Sequence, residues 1–362
     1  MVFAPHPDDE SLACSIPIQR ALAAGTSVRV VYTTDGDNNP WPQRVIERKW
    51  RISQTDRARW GKLRRLEAQA ALLALGLRLE DACFLGLPDQ GLTNLLMRQH
   101  ASTLPILRRL IEEFAPTDIL FPSTADAHPD HNALAVMLLV ILGQIAPESV
   151  PQTVWQFAVH GKNAGFFADA EPIDATPREV ATKVRAIQCH RTQLKLSRHR
   201  FLQYAERPER FLTFDGAPAP IPEAALRILA REAKQLIVYL PPRKKILQRD
   251  LSVLAVGHSY GGGLSSAVIR LSGKVAQAEM VGSVTGISVP LATLEGNSLT
   301  GMKINIKTEG MFSPDHSIFL KLSCRSITFD DTGWCEAASL GRPIVPSRTS
   351  PRARLLHGTL KE

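Results

Sequence analysis

Cysteine is scarce and scattered in this chain. Its 362 residues hold five, Cys14, Cys83, Cys189, Cys324 and Cys335, and no two form a C-x-x-C pair. That spacing excludes a disulfide framework and a thiolate metal site, and it points to a reducing compartment. Long apolar runs are missing too. The most apolar stretch, Ala133 to Leu142, is about half of what a bilayer-crossing helix needs and is expected to be a buried helix. No basic segment followed by an apolar run opens the chain, so no secretory signal is expected and a cytoplasmic protein is the plain reading. Internal repeats are absent as well.

What is present is a soluble composition, 44% hydrophobic and 22% charged, in a chain long enough for two units. The net charge is +8, and part of the excess is local. Residues 44–65 carry nine Lys or Arg against Glu47 and Asp56, with Trp50 and Trp60 among them. Such a cluster suits an anionic substrate or the face of an acidic membrane. No nucleic-acid motif accompanies it, so nucleic acid is not expected as a partner. The oligomeric state is not legible.

From Met1 to about Tyr239, short β-rich runs alternate with helical ones. Strands are expected at 27–34, 83–85, 118–121 and 153–159. Helices are expected at 63–75, with Leu66, Ala70 and Leu73 on one face and Gly76 as the stop, and at 104–114. Alternation of this kind implies a mostly parallel sheet covered by helices on both faces, an α/β fold. Ligands of such sheets bind beyond the carboxyl ends of the strands. The prolines at 241–242 read as a linker, 241–249, which sets an α/β unit at 1–240 apart from a small β-rich domain at 250–342. The tail from 343 to 362, rich in Pro, Arg and Ser, is expected to be disordered.

Two clusters carry the chemistry. His6-Pro7-Asp8-Asp9-Glu10 follows the first apolar run, and His128-Pro129-Asp130-His131 follows that ending at Phe121. Two imidazoles and a carboxylate are the ligand set of a catalytic Zn²⁺ with one position left open. His6 and Asp9, three apart, can face one ion from a turn, and His131 joins them from another loop. Asp8 then serves as general base, and His128 as donor to the oxyanion and acid toward a leaving amine, with Asp130 fixing the His128 tautomer. The parts fit metal-assisted hydrolysis of an amide.

Together with Thr34-Asp35-Gly36, these clusters resemble the motifs of the LmbE/PIG-L family of zinc-dependent N-deacetylases, over roughly residues 1–215. The resemblance implies a Rossmann-like fold and removal of acetyl groups from N-acetylglucosamine units of glycolipids and other glycoconjugates. It implies His6, Asp9 and His131 on the zinc, Asp8 as base and His128 as its partner. Arg64, matched with Glu67 to the family's Arg-x-x-Glu, would reach the sugar, and Asp89 would hold sugar hydroxyls. Two features depart from the pattern. Ser15-Ile16 stand where the family usually has two glycines, and the first strand is cut to Met1–Ala4, which raises the expectation of a start further upstream.

Two other classes compete. Gly257-His258-Ser259-Tyr260-Gly261 matches the nucleophile-elbow pattern, with Asp315 or Asp330 and then His357 in the order a serine hydrolase requires. The bland alternative is a Gly-rich turn in a β domain. The remaining possibility is a sugar-binding module that has kept the fold and lost the activity.

Overall fold

The computed structural model describes residues 1–146, 149–160, 170, 172–213, 226–241, 251–272, 275–281, 288–297, 301–324 and 333–340, with backbone only at 272, 275–281, 288–297 and 324. The expected linker, save residue 241, and the expected tail lie outside these residues. Chain order in the first part is β1 (Val2–Ala4), α1 (Asp9–Ala13), α2 (Ser15–Ala23), β2 (Val30–Thr34), α3 (Pro40–Glu47), α4 (Gln54–Leu75) and β3 (Ala82–Leu87). Then come α5 (Leu92–Arg98), α6 (His100–Phe114), β4 (Asp118–Pro122), α7 (Pro129–Leu142), β5 (Thr153–Phe157), α8 (Pro177–Cys189), α9 (Arg191–Glu206) and β6 (Leu212–Thr213).

These strands form one sheet in the order β3-β2-β1-β4-β5-β6, parallel except for β6. The fold is α/β, as the alternation predicts. Val2 of β1 lies opposite both Val30 and Leu120, so β1 is central, and the strand order reverses between β1 and β4. That reversal opens a crevice at the carboxyl edge, where both His clusters begin.

The helix expected at 63–75 starts earlier, at Gln54, where Ser53 and Asp56 form a capping box. Its inner face also differs. Leu66 and Leu73 are exposed, while Ala68, Ala71, Leu72 and Leu75 are buried. Leucines occur on both faces of α4, with Trp60 also buried, so the pair Leu66 and Leu73 does not mark the inner one. By contrast α7 is apolar all round and buried along its length, as expected of its sequence.

The second sheet holds β7 (Arg227–Arg231), β8 (Gln235–Leu240), β9 (Leu251–His258), β10 (Leu264–Ser272), β11 (Val275–Val281), β12 (Ser288–Asn297), β13 (Gly301–Lys307), β14 (Ile318–Cys324) and β15 (Cys335–Ala337). Their order is β15-β14-β9-β10-β11-β12-β13-β8-β7, and every pairing is antiparallel. The expected β-rich character holds, but β7 and β8 pair within this sheet, on the far side of a boundary placed at residue 240. Short apolar runs alone do not tell which sheet a strand joins.

The two sheets share a core. Val256, Leu264, Phe319 and Trp334 pack into the cluster built on α5, α6 and α7. Ser266 Oγ donates to Met97 O at 2.5 Å, and the buried Lys321 Nζ donates to Asn132 Oδ1 at 2.9 Å. Asn132 is the residue after His131, so the second sheet reaches the back of the candidate site.

Candidate metal centre

His6 follows β1 and His131 sits in the first turn of α7, after β4. The sequence places both on the carboxyl edge, and three side-chain atoms meet there. His6 Nδ1 lies 3.2 Å from His131 Nε2, Asp9 Oδ2 lies 3.4 Å from His6 Nδ1, and Asp9 Oδ2 lies 3.3 Å from His131 Nε2. Bonds of ~2.1 Å to a tetrahedral ion put neighbouring ligand atoms ~3.4 Å apart, so this triangle has the edges of one face of a zinc site. Asp9 Oδ1 is buried and has no hydrogen-bond partner, as expected of a carboxylate shaped to meet a cation. The donor set therefore fits a divalent metal.

The far side of each imidazole fixes its orientation. His131 Nδ1 lies 3.1 Å from Asp126 Oδ2, and His6 Nε2 lies 3.3 Å from both Asp130 Oδ2 and Asp89 Oδ1. With a cation bound, these contacts would keep one ring proton of each on the carboxylate side and leave Nδ1 of His6 and Nε2 of His131 as lone pairs toward it. Although burial opposes it, the carboxylates Asp9 and Asp126 raise His131 to about 9. Burial likewise opposes protonation of His6, and Asp130, Asp89 and Asp9 raise it well above its ordinary value.

Asp130 corrects the sequence reading, which paired it with His128. Its carboxylate accepts from the Gln90 and Leu92 amides, at 2.6 and 3.0 Å, and faces His6. What His128 receives from that residue is the backbone N–H, which donates to His128 Nδ1 at 3.2 Å as an N-cap contact on α7. With Nδ1 accepting, the proton resides on Nε2. Burial, reinforced by the positive neighbours His6 and His131, holds His128 well below the usual histidine range and so neutral.

Asp8, between His6 and Asp9 in sequence, takes φ 153°, a conformation that non-glycine residues seldom adopt. Its carboxyl is raised to about 6, by burial first, against the opposing pull of Arg64. Arg64 is buried and forms a three-point brace. It donates to Asp8 Oδ2 at 2.9 Å, Pro7 O at 2.8 Å and Gly36 O at 2.7 Å. The expectation that Arg64 reaches a sugar changes accordingly: it lines the cavity, but its terminal nitrogens hold the Asp8 loop. Glu67 does not pair with it and instead accepts from Thr192. The Thr34-Asp35-Gly36 motif serves the same brace. A Cβ on Gly36, at φ +61°, would lie 1.7 Å from Arg64 Nη1, and Asp35 is engaged by Arg65 at 2.7 and 2.8 Å.

The sequence reading missed several residues. Asp126 accepts from the amides of His128, Val159 and His160 besides facing His131, so it ties the ends of β4 and β5 to the site. An acid two places before His128 was its only signal. Glu10 accepts from the Asp8 amide and faces His190 Nε2 at 3.2 Å. His160, just beyond β5, is 4.9 Å ring to ring from His131, and burial lowers it to about 4. At Ser15-Ile16, the Ile16 amide donates to the buried Glu209, itself 2.7 Å from Lys183. An ion pair thus closes the start of α2 where the resemblance leads one to expect glycines.

A cavity of about 610 Å³ opens over these groups. His6, Asp8, Arg64, Asp89 and His128 line its floor, while Trp41 of α3 and Leu196, Arg200 and Tyr204 of α9 line its walls. The elbow reading of Ser259 fails on geometry. Ser259 lies in the turn of the antiparallel β9–β10 hairpin, its Oγ donating to Gly263 O at 3.0 Å, with no helix behind it. Asp330 and His357 lie outside the described residues.

Residues 1–142 match the PIG-L family model, described as GlcNAc-PI de-N-acetylase, which is the family the three motifs resemble. A 1D-myo-inositol 2-acetamido-2-deoxy-alpha-D-glucopyranoside deacetylase of Mycobacterium avium (strain 104) is 32% identical over 139 residues, covering 35% of this chain and 45% of that protein. One from Mycolicibacterium paratuberculosis (strain ATCC BAA-968 / K-10) matches to the same extent. The chain thus spans less than half the length of these relatives. Among solved structures, an N,N'-diacetylchitobiose deacetylase from Pyrococcus horikoshii is 17% identical, with a TM-score of 0.46, covering 59% of this chain and 82% of that one. A conserved protein from Thermus thermophilus is 20% identical, with a TM-score of 0.44, covering 64% and 98%.

Proposed function

We propose that the chain is a metal-dependent hydrolase that removes an N-acetyl group from an N-acetylglucosamine-type sugar or glycoconjugate, releasing acetate and a free amine. The observation that carries this reading is the triangle of His6 Nδ1, Asp9 Oδ2 and His131 Nε2, with the Asp8 carboxyl beside it on the floor of an open cavity. The match of residues 1–142 to the PIG-L model supports the same reaction class.

His6, Asp9 and His131 would hold the ion, with zinc as the proposed metal. When bound, such an ion supplies Lewis acidity, acidifying water and polarising a carbonyl. The chain's own groups do the rest. The Asp8 carboxylate takes a proton from the water whose oxygen attacks the acetyl carbon. The His128 Nε2–H donates a hydrogen bond to the carbonyl oxygen as negative charge gathers there. Because His128 is held neutral, the acid role expected of it passes to Asp8, whose proton goes to the departing nitrogen as the C–N bond breaks. A carboxyl raised to about 6 suits both halves of that transfer, because it accepts and releases near neutrality. Arg64 keeps the carboxyl aimed, and Asp89, at the cavity floor, is proposed to accept hydrogen bonds from sugar hydroxyls. We assign the α/β part to catalysis, and the second sheet to support of the site through Lys321 and Asn132.

The test is an acetate-release screen over N-acetylated sugars, nucleotide sugars and glycolipids, with metal content measured on the same sample. Chelator-sensitive release from at least one acetylated sugar supports the reading. Metal-loaded protein inert across the panel overturns it.

A further inference from the structure

Among the described residues no helix is long and apolar enough to cross a membrane, yet one region of the surface has the make-up of a membrane-facing patch. Trp50 is 73% exposed and Trp41 59%, and Val45, Ile46 and Leu196 are exposed beside them. Trp41 and Leu196 both line the cavity, from α3 and α9, two helices that touch each other, so the patch adjoins the cavity. Scattered apolar residues are ordinary on a surface, but two exposed indoles in edge contact, 6.4 Å between ring centroids, are not. They are fixed by Arg44, whose guanidinium lies 4.9 Å from the Trp41 ring and 5.1 Å from the Trp50 ring while its Nε donates to Trp50 O.

The charge around this patch has one sign. Within 44–65, Lys49 and Arg59 are taken up by Asp56 and Glu47, Arg64 by Asp8 and Arg65 by Asp35. Arg48 and Arg51, next to Trp50, are exposed and form no ion pair among the described residues, nor do Lys195 and Arg198 on α9. The region that sequence alone marked as basic thus divides into paired cations, two of which brace the site, and exposed ones beside Trp50.

We propose that this rim, Trp41, Val45, Ile46, Trp50 and Leu196 with Arg48, Arg51, Lys195 and Arg198, docks on an anionic lipid bilayer and holds the cavity mouth against its surface. Indoles favour the boundary between headgroups and acyl chains, aliphatic side chains gain by burial beneath it, and cations gain from anionic headgroups. A single-stranded nucleic acid would use the cations and the rings but leave Val45, Ile46 and Leu196 in water. A second copy of the chain would bring like charges together. A sugar in the cavity would cover Trp41 but not Trp50, which does not line it. The bilayer uses every feature.

The experiment is co-sedimentation of the full chain with phosphatidylcholine vesicles and with vesicles of phosphatidylcholine and phosphatidylglycerol, alongside tryptophan emission. The docking surface predicts binding to the mixed vesicles, weak binding to the neutral ones, a blue shift on binding and loss of affinity with added salt. Trp50→Ser should weaken partitioning at least tenfold, and Arg198→Glu about fivefold or more, in line with roughly 1 kcal/mol per basic residue near an anionic surface. Unchanged metal content and circular dichroism in both variants show that the fold is retained. No binding to mixed vesicles overturns the proposal, as does binding that Trp50→Ser leaves intact. A dimer that Trp50→Ser dissolves, or an oligonucleotide that binds in preference to vesicles, overturns it in favour of those partners. Nothing in this readout depends on turnover, so its failure is distinct from failure of the deacetylase reading.

Discussion

Asp126 Oδ2 lies 3.1 Å from His131 Nδ1 and turns the opposite nitrogen of that ring toward His6 and Asp9. The same oxygen accepts from the Val159 and His160 amides, at 2.8 and 3.1 Å, so a loop after β5 and a proposed ligand on α7 share one anchor. Carboxylates behind a metal-ligating histidine fix its tautomer and raise its basicity. Asp126→Ala should therefore weaken metal binding by about 10- to 100-fold in a chelator competition, the range for loss of such partners. Unaltered affinity would mean that His131 is held by packing alone.

Metal-free protein should respond to pH through His131. Its pKa lies near 9 when folded and near 6.5 when unfolded, so the folded state binds the extra proton. The stability gained is fully present below about pH 6.5 and is lost as pH rises through about 9. A bound cation displaces that proton, so metal affinity should rise over the same interval, with proton release on titration. Denaturant midpoints of metal-free protein at pH 6.5 and 9, and calorimetric titration in buffers of different ionisation enthalpy, check both parts.

Arg64→Met should act through Asp8. Removing the guanidinium takes away the largest influence that holds the Asp8 carboxyl down, leaving those of His190 and His6, so its pKa should climb above about 6. The acid limb of the kcat/KM profile then moves to higher pH, with a lower plateau. A lower plateau on an unmoved limb would assign Arg64 to substrate contact instead.

Gly36→Ala would put a methyl into the space of the Arg64 guanidinium while keeping a positive φ. Overpacking of this kind costs about 1–3 kcal/mol, read as a lowered denaturant midpoint, and activity should fall with it because the brace on Asp8 is displaced.

The clusters at 6–10 and 128–131 were legible because each follows a strand of a parallel sheet, and such a sheet delivers strand ends to one edge. The helix at Ala133 to Leu142 and the β-rich second part were legible for the same reason: residue pattern follows local geometry. What escaped depends on partners distant in sequence. Asp130 was assigned to its neighbour His128, but the start of α7 aims its carboxylate at His6, 124 residues away. Arg64 reads as a sugar contact in sequence, but the Gly36 turn, 2.7 Å from it, takes up its terminal nitrogens together with Pro7 and Asp8. Leu66 and Leu73 suggested the wrong face because α4 carries leucines on both faces, and the buried one is set by what it packs against. Membership of β7 and β8 in the second sheet is a matter of long-range pairing, which short runs do not encode.

The most direct test of the account is Asp8→Asn, assayed for metal content and acetate release on one preparation. The amide keeps the size of the side chain, and the proposed ligands His6, Asp9 and His131 are untouched. The account predicts metal bound at the level of the unaltered protein and turnover reduced on the order of 10²- to 10⁴-fold, the usual worth of a positioned base. Full turnover with metal bound would contradict it.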